Sequence, residues 1–357
     1  MKVSPLKIGE HQVELPIIQG GMGVGVSLSG LASAVARCGG IGVVAAAGIG
    51  FLRSDYAKIK HQANLAMLKQ EITRAKEMAP EGVIGANIMV ALTDFEQMVR
   101  GALEAEVDII FSGAGLPLTL PKLKQEFPKS KTALVPIISS PRAASIICKK
   151  WKRLGYVPDG FVLEGPKAGG HLGFSLDELQ KEPAIVDLLK ETKKVLEPFE
   201  AEAGQEIPVI VAGGVYTGED IAMMLRQGAK GVQMGTRFVA TEECDAHIRF
   251  KQEFIRAKKE DIVFIKSPVG LPGRAIKNSF LEAVERGEKT PFSCPYHCIK
   301  TCDPNTAPYC ISLALINAQK GRLEKGFAFA GANAYRIDKI ITVQQLMDEL
   351  VIDLQKV

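Results

Sequence analysis

Two apolar runs late in the chain break off into small residues, Ile207-Pro208-Val209-Ile210-Val211-Ala212-Gly213-Gly214-Val215 and Gly231-Val232-Gln233-Met234-Gly235-Thr236-Arg237-Phe238. With no side chains in the way, backbone N–H groups at such strand ends are free to surround a phosphate. A third run, Gly160–Glu164, leads into Gly165-Pro166-Lys167-Ala168-Gly169-Gly170-His171. An imidazole just beyond a buried strand is suited to moving a proton, the alternative being a structural loop histidine. His11, His61, His247 and His297 have no comparable setting.

A second kind of chemistry belongs to Cys294, Cys298, Cys302 and Cys310. Four thiols in so short a segment suit one metal centre, an iron–sulfur cluster before a zinc ion. Their spacing matches neither the common ferredoxin pattern nor a paired zinc ribbon. Pro295, Pro304 and Pro308 favour turns, which would let the thiols fold towards one point. Cys38, Cys148 and Cys244 lie in apolar patterns and read as core.

Eight strands are expected to position these groups: Pro16–Gln19, Gly42–Ala45, Gly82–Met89, Val107–Phe111, Ala133–Ile138, Gly160–Glu164, Ile207–Val211 and Gly231–Met234. They are near-continuous apolar runs rather than alternating ones, as strands covered on both faces should be. Helical patterns intervene, among them Leu28–Arg37, Asp55–Met78, Phe95–Ala105, Pro141–Leu154 and Gly218–Gln227. The order predicts an α/β protein with a (β/α)8 or TIM barrel, whose strand ends would present the functional groups at one face. Gly21-Met22-Gly23-Val24-Gly25 lacks the spacing of a dinucleotide-binding turn, which argues against a doubly wound sheet.

The expected division is a barrel over 1–240, a smaller α-helical lid region over 241–290, and a cysteine-rich C-terminal segment with helices over 291–357 that packs back on the barrel. Ser267-Pro268-Val269-Gly270-Leu271-Pro272-Gly273-Arg274 reads as a lid loop. A net charge of +4 without a sustained basic block predicts no nucleic-acid partner; Lys149-Lys150-Trp151-Lys152-Arg153 reads as a solvated helix face. The first residues carry no apolar core of signal-peptide length, and no apolar stretch approaches a membrane span, so a cytoplasmic protein with reduced thiols and no membrane partner is expected.

Taken in order, Gln19-Gly20-Gly21-Met22, Gly85-Ala86-Asn87-Ile88-Met89, Ser112-Gly113-Ala114-Gly115, Glu164 through His171, Ala212-Gly213-Gly214, Gln233 through Phe238, and Gly273-Arg274-Ala275-Ile276-Lys277-Asn278 form a set that resembles the nitronate monooxygenase family. That family, formerly called 2-nitropropane dioxygenase, includes flavin-dependent enoyl-acyl-carrier-protein reductases. The resemblance implies a non-covalent FMN at the barrel mouth, its phosphate against Gly213, Gly214, Gly235 and Thr236. Gln19, Gly20, Gly21, Met22 and Asn87 would flank the ring and ribityl chain, and Glu164, Gly170, Gln233 and Met234 complete the implied cofactor-binding set. His171 matches the family's catalytic histidine. Implied substrates are a small-molecule nitronate, oxidised with oxygen to a carbonyl compound and nitrite, or an enoyl thioester reduced with NAD(P)H. A non-catalytic redox sensor is the alternative of another class, and a homodimer is the expected assembly.

Overall fold

Short runs of β-branched and aliphatic residues form the eight strands of a closed, all-parallel barrel. In chain order they are β1 (Ile17–Gln19), β2 (Ile41–Ala45), β3 (Val83–Asn87), β4 (Ile109–Ser112), β5 (Ala133–Ile138), β6 (Phe161–Glu164), β7 (Val209–Ala212) and β8 (Gly231–Met234). Each pairs with its neighbour in sequence, and β8 closes on β1 through Gln233↔Ile18 and Met234↔Gln19. The protein is thus the (β/α)8 barrel expected. The structure is a computed structural model and describes residues 4–356 except 60, 289, 291 and 295.

Alternate residues of each strand divide the core in two. Ile18, Val43, Phe111, Val135, Val162 and Ile210 fill the barrel interior, while Ile17, Val44, Ile110, Leu134, Leu163 and Val211 pack outward against the helices. Apolar side chains on both faces explain why the runs are continuous rather than alternating.

A hairpin not foreseen in the sequence, Leu6–Ile8 with His11–Val13, lies before β1. Leu6, Ile8 and Val13 join the interior cluster, and an added side-chain carbon at Gly231, where β8 begins, would lie 3.0 Å from Leu6. The hairpin therefore stoppers the end of the barrel where strands start, leaving the other end as the mouth.

The segment expected to be a helical lid is partly β. Helices Ile248–Arg256 and Ser279–Glu285 are present, but between them Ile262–Lys266 and Pro272–Ile276 form an antiparallel hairpin. Its second strand pairs with Gly170–His171, through Gly273↔His171 and Arg274↔Gly170. The helix Val343–Lys356 ends the fold against Gly218–Arg226 so closely that an added carbon at Gly218 would lie 2.2 Å from the Leu350 carbonyl. No helix among the described residues is long and apolar enough to cross a membrane.

Candidate active site at the barrel mouth

Strand alternation sets three polar side chains in the last inward layer. Glu164 follows inward Val162 by two residues, Asn87 follows Gly85, and Gln233 lies between outward Val232 and Met234. The register puts Glu164 beside Ala212 and Ala212 beside Gln233. Gln233 lies against Gly20, and Gly21 approaches Asn87 so closely that an added carbon would meet the Asn87 Cβ at 2.3 Å. Gly20, Gly21, Asn87, Glu164 and Gln233 thus come together.

Gln19 and Met234 take other roles. Gln19 is fully buried; its Oε1 accepts from Val43 N at 2.9 Å and its Nε2 donates to the Gly20 carbonyl. It spans β1 and β2 where their ladder is reduced to Ile18↔Ile41. Met234 points its side chain into the outer core, which corrects its place in the cofactor set. Only its backbone faces β1, accepting from Gly20 N at 2.9 Å. Met22 lies just before the turn over 23–26 rather than in it, held by Ser27 Oγ on its N–H at 2.9 Å, with its sulfur near Gly235.

The glycines after β7 and β8 serve different ends. Gly213 and Gly214 have φ of +90° and +88°, a region that disfavours any residue with a side chain. Gly235 has φ of −107°, open to any residue, and an added carbon there would meet only the Met22 side chain, at 3.6 Å or beyond. The backbone does not need a glycine at 235, whereas a ligand pressed against it would. Lys167 runs its stem over Gly214 and has no ion pair among the described residues, which puts a free cation beside this cradle. The last part of the chain closes it: Gly331 N donates to Thr236 Oγ1 at 2.9 Å and Asn333 Nδ2 to the Gly214 carbonyl at 2.7 Å. Backbone donors, a cation and an unfilled concavity fit a phosphate. Lys167, Gly331 and Asn333 escaped the sequence reading, although the small residues Ala330-Gly331-Ala332 after an apolar run were a legible signal.

His171 is held from three sides. Its Nε2 lies 2.7 Å from Ser267 Oγ, its ring meets Phe329 edge-on at 4.9 Å, and its backbone is paired with Gly273. Arg274, mostly buried, clamps the same loop by donating to the Pro166 and Ala168 carbonyls while its guanidinium stacks over Phe264 at 4.6 Å. Burial lowers the Arg274 pKa to about 10. Burial also pulls His171 down to about 4, so the ring is neutral at physiological pH and available to accept a proton. Gly170, with φ of +82°, turns the chain into this pairing. Ser267, Phe329 and Arg274 come from segments about a hundred residues or more beyond His171 in the chain, so local pattern could not join them to it.

Burial raises Glu164 to about 7 from its ordinary 4.5. A group whose folded pKa lies above its unfolded one favours folding at low pH and loses that contribution as pH rises from about 4.5 to about 7. Glu164→Gln in ligand-free protein should leave the melting temperature near the parent value at pH 4.5 and raise it at pH 8. An identical shift at both pH values would show that the carboxyl titrates normally.

The four C-terminal thiols lie in a strap beside the mouth. Its backbone pairs with the loop after β3, through Lys300 N to the Ala91 carbonyl at 2.9 Å and Thr93 N to the Cys298 carbonyl at 3.2 Å. On the other side Thr301 Oγ1 donates to the Val269 carbonyl at 3.1 Å, in the turn that carries Ser267. All seven cysteines are unbridged, and Cys148 and Cys244 are buried in the core as expected. Among the described residues no three His, Cys, Asp or Glu converge as they would around one metal ion.

Comparison with known proteins follows this geometry. The family model described as nitronate monooxygenase matches residues 4–353. The chain is 27% identical over 278 residues to the (3aS,4S,5R,7aS)-5-hydroxy-7a-methyl-1-oxo-octahydro-1H-indene-4-carboxyl-CoA dehydrogenase of Mycobacterium tuberculosis, covering 78% of this chain and 67% of that one. To a probable nitronate monooxygenase of Staphylococcus saprophyticus it is 25% identical over 320 residues, 79% and 81% of the two chains. Among solved structures, FabK from Thermotoga maritima superposes with a TM-score of 0.73 at 26% identity, over 96% of this chain and 94% of that one.

Proposed function

The chain belongs to the nitronate monooxygenase family, and from that premise we propose that it is an FMN-dependent oxidoreductase acting on nitronates. In this reading oxygen and a nitronate give a carbonyl compound and nitrite. The observation that carries it is a neutral His171, oriented by Ser267, on the loop that also forms the wall of the glycine cradle.

Gly213, Gly214, Gly235 and Thr236 would hold the FMN phosphate, with Lys167 offsetting its charge and the segment from Gly331 to Asn333 closing over it. Bound FMN would supply the electron acceptor for the substrate carbon and the means of reducing oxygen. In the tautomer that donates Nε2–H to Ser267 Oγ, His171 Nδ1 would take a proton from the carbon of a neutral nitroalkane and so form the nitronate that is then oxidised; a nitronate supplied as such needs no base. Phe329 and the hairpin above His171 exclude water from that transfer. Glu164, poised near neutrality, is a second proton holder in the same mouth.

Reduction of an enoyl thioester by NAD(P)H is the second reading. It is supported by the likeness to FabK over nearly the whole chain and by the CoA-thioester relative. The two separate in one experiment with FMN-loaded protein. Nitronate turnover with oxygen uptake and no nicotinamide is expected; rapid anaerobic bleaching by NADH or NADPH, with no nitronate turnover, would replace the first reading by the second.

A further inference from the structure

The thiol strap has no part in the chemistry at His171, yet its construction is specific. Cys294, Cys298 and Cys302 are each separated by three residues and Cys310 follows after seven. Every one of the four lies within electrostatic reach of the other three. Cys310 is the N-cap of the nine-residue helix Ile311–Gln319, its sulfur near the amides of Ser312 and Leu313 but without a capping hydrogen bond. Cys298 Sγ lies 3.3 Å from Ser312 Oγ at the same helix end. Cys298 and Cys302 pack against an apolar cluster that includes Val269, Ile299, Tyr309 and Phe327.

Burial and mutual proximity raise the thiol pKa values of Cys298, Cys302 and Cys310, so without a cation they stay protonated, whereas a cationic centre would let all four ionise and bind it. A single zinc ion with 2.3 Å bonds needs sulfurs about 3.8 Å apart, and no three of these side chains converge on one ion. A multinuclear iron–sulfur core binds each thiolate to a different iron and so accepts a wider set. Amide and hydroxyl hydrogen bonds to the sulfurs, a helix N-terminus and an apolar wall are the surroundings that stabilise such a core.

We propose that Cys294, Cys298, Cys302 and Cys310 ligate one four-iron, four-sulfide cluster. On transfer of a preformed cubane from a carrier's thiolates, each new sulfur–iron bond replaces one broken iron–thiolate bond to the carrier, the leaving thiolate takes the proton of the incoming thiol, and no electron is transferred. The cluster sits in the strap that joins the loop after Asn87 to the turn bearing Ser267, so it fixes both walls of the mouth. This assignment does not depend on which substrate the mouth accepts.

The test uses the full chain, produced with iron and sulfur supply and purified without oxygen. About four iron and about four acid-labile sulfide per chain are expected, with broad visible absorption that persists after flavin is removed and a paramagnetic signal after dithionite. Cys298→Ser and Cys310→Ser should each lower iron and sulfide together by more than half, whereas Cys38→Ser, remote from the strap, should change neither. Should the serine variants fail to fold, wild-type protein stripped by a chelator and treated with ferrous iron and sulfide must regain the spectrum. Iron-free protein whose four thiols react freely while folded, zinc in place of iron, or stripped protein that takes up no iron would each overturn the assignment.

Discussion

His171→Ala should lower turnover of a neutral nitroalkane by about 10²–10⁴-fold, with preformed nitronate affected far less, while the protein keeps its flavin. The side chain faces Ser267 and Phe329, not the glycines after β7 and β8, so its removal takes away a proton acceptor without opening the cradle. The sign of the pH dependence follows from burial. With its pKa lowered to about 4, His171 is in its accepting form through the neutral range, and activity should fall only as pH drops towards that value. Steady-state kinetics from pH 4 to pH 9 on parent and variant, with flavin content measured in both, check the point. Undiminished turnover in the variant would reduce His171 to a structural residue, and loss of flavin would move it into the binding site.

Gly235→Leu should abolish FMN retention in a protein that still folds. The φ of −107° accepts leucine, and its first carbon would meet only the flexible Met22 side chain, at ordinary contact distance, so the backbone of the free protein need not move to admit it. Its side chain would occupy the space assigned to the phosphate. The expected result is colourless protein with an unchanged circular dichroism spectrum and a dissociation constant for FMN weakened by at least about a hundredfold, on the order of 3 kcal/mol. Gly213→Leu is the contrasting variant, because φ of +90° makes it lose stability as well as ligand. Parental FMN affinity in Gly235→Leu would remove the phosphate from this end of β8.

The barrel was legible because each strand is sandwiched between side chains on both faces. Ile109-Ile110-Phe111 and Val209-Ile210-Val211 are therefore apolar at every position, a pattern that few surface elements share. The hairpin Leu6–Ile8 with His11–Val13 offers only three residues per strand, too few for alternation to stand out. Ile262-Val263-Phe264-Ile265-Lys266 has strand composition, but its role arises from Pro272–Ile276 pairing with Gly170–His171, and such a distant partner leaves no local trace. Met234 was recoverable: successive strand residues face opposite ways, so an inward Gln233 sends Met234 outward. Ser267 and Arg274 could be quoted as parts of a motif, yet only the folded sheet shows that one meets the His171 ring and the other the loop leading to it.

The closure of the cradle by Gly331 and Asn333 gives cofactor loading a place in the order of synthesis. A nascent chain emerging from the ribosome completes β8 at Met234 and has every strand of the barrel about a hundred residues before Asn333 is made. At that stage the glycines assigned to the phosphate exist, but Thr236 Oγ1 and the Gly214 carbonyl still lack the partners that shut the site. On the proposed reading, stable uptake of FMN would belong to the last moments of translation or after release, and a chain that stops before Asn333 would lack the groups that close the cradle.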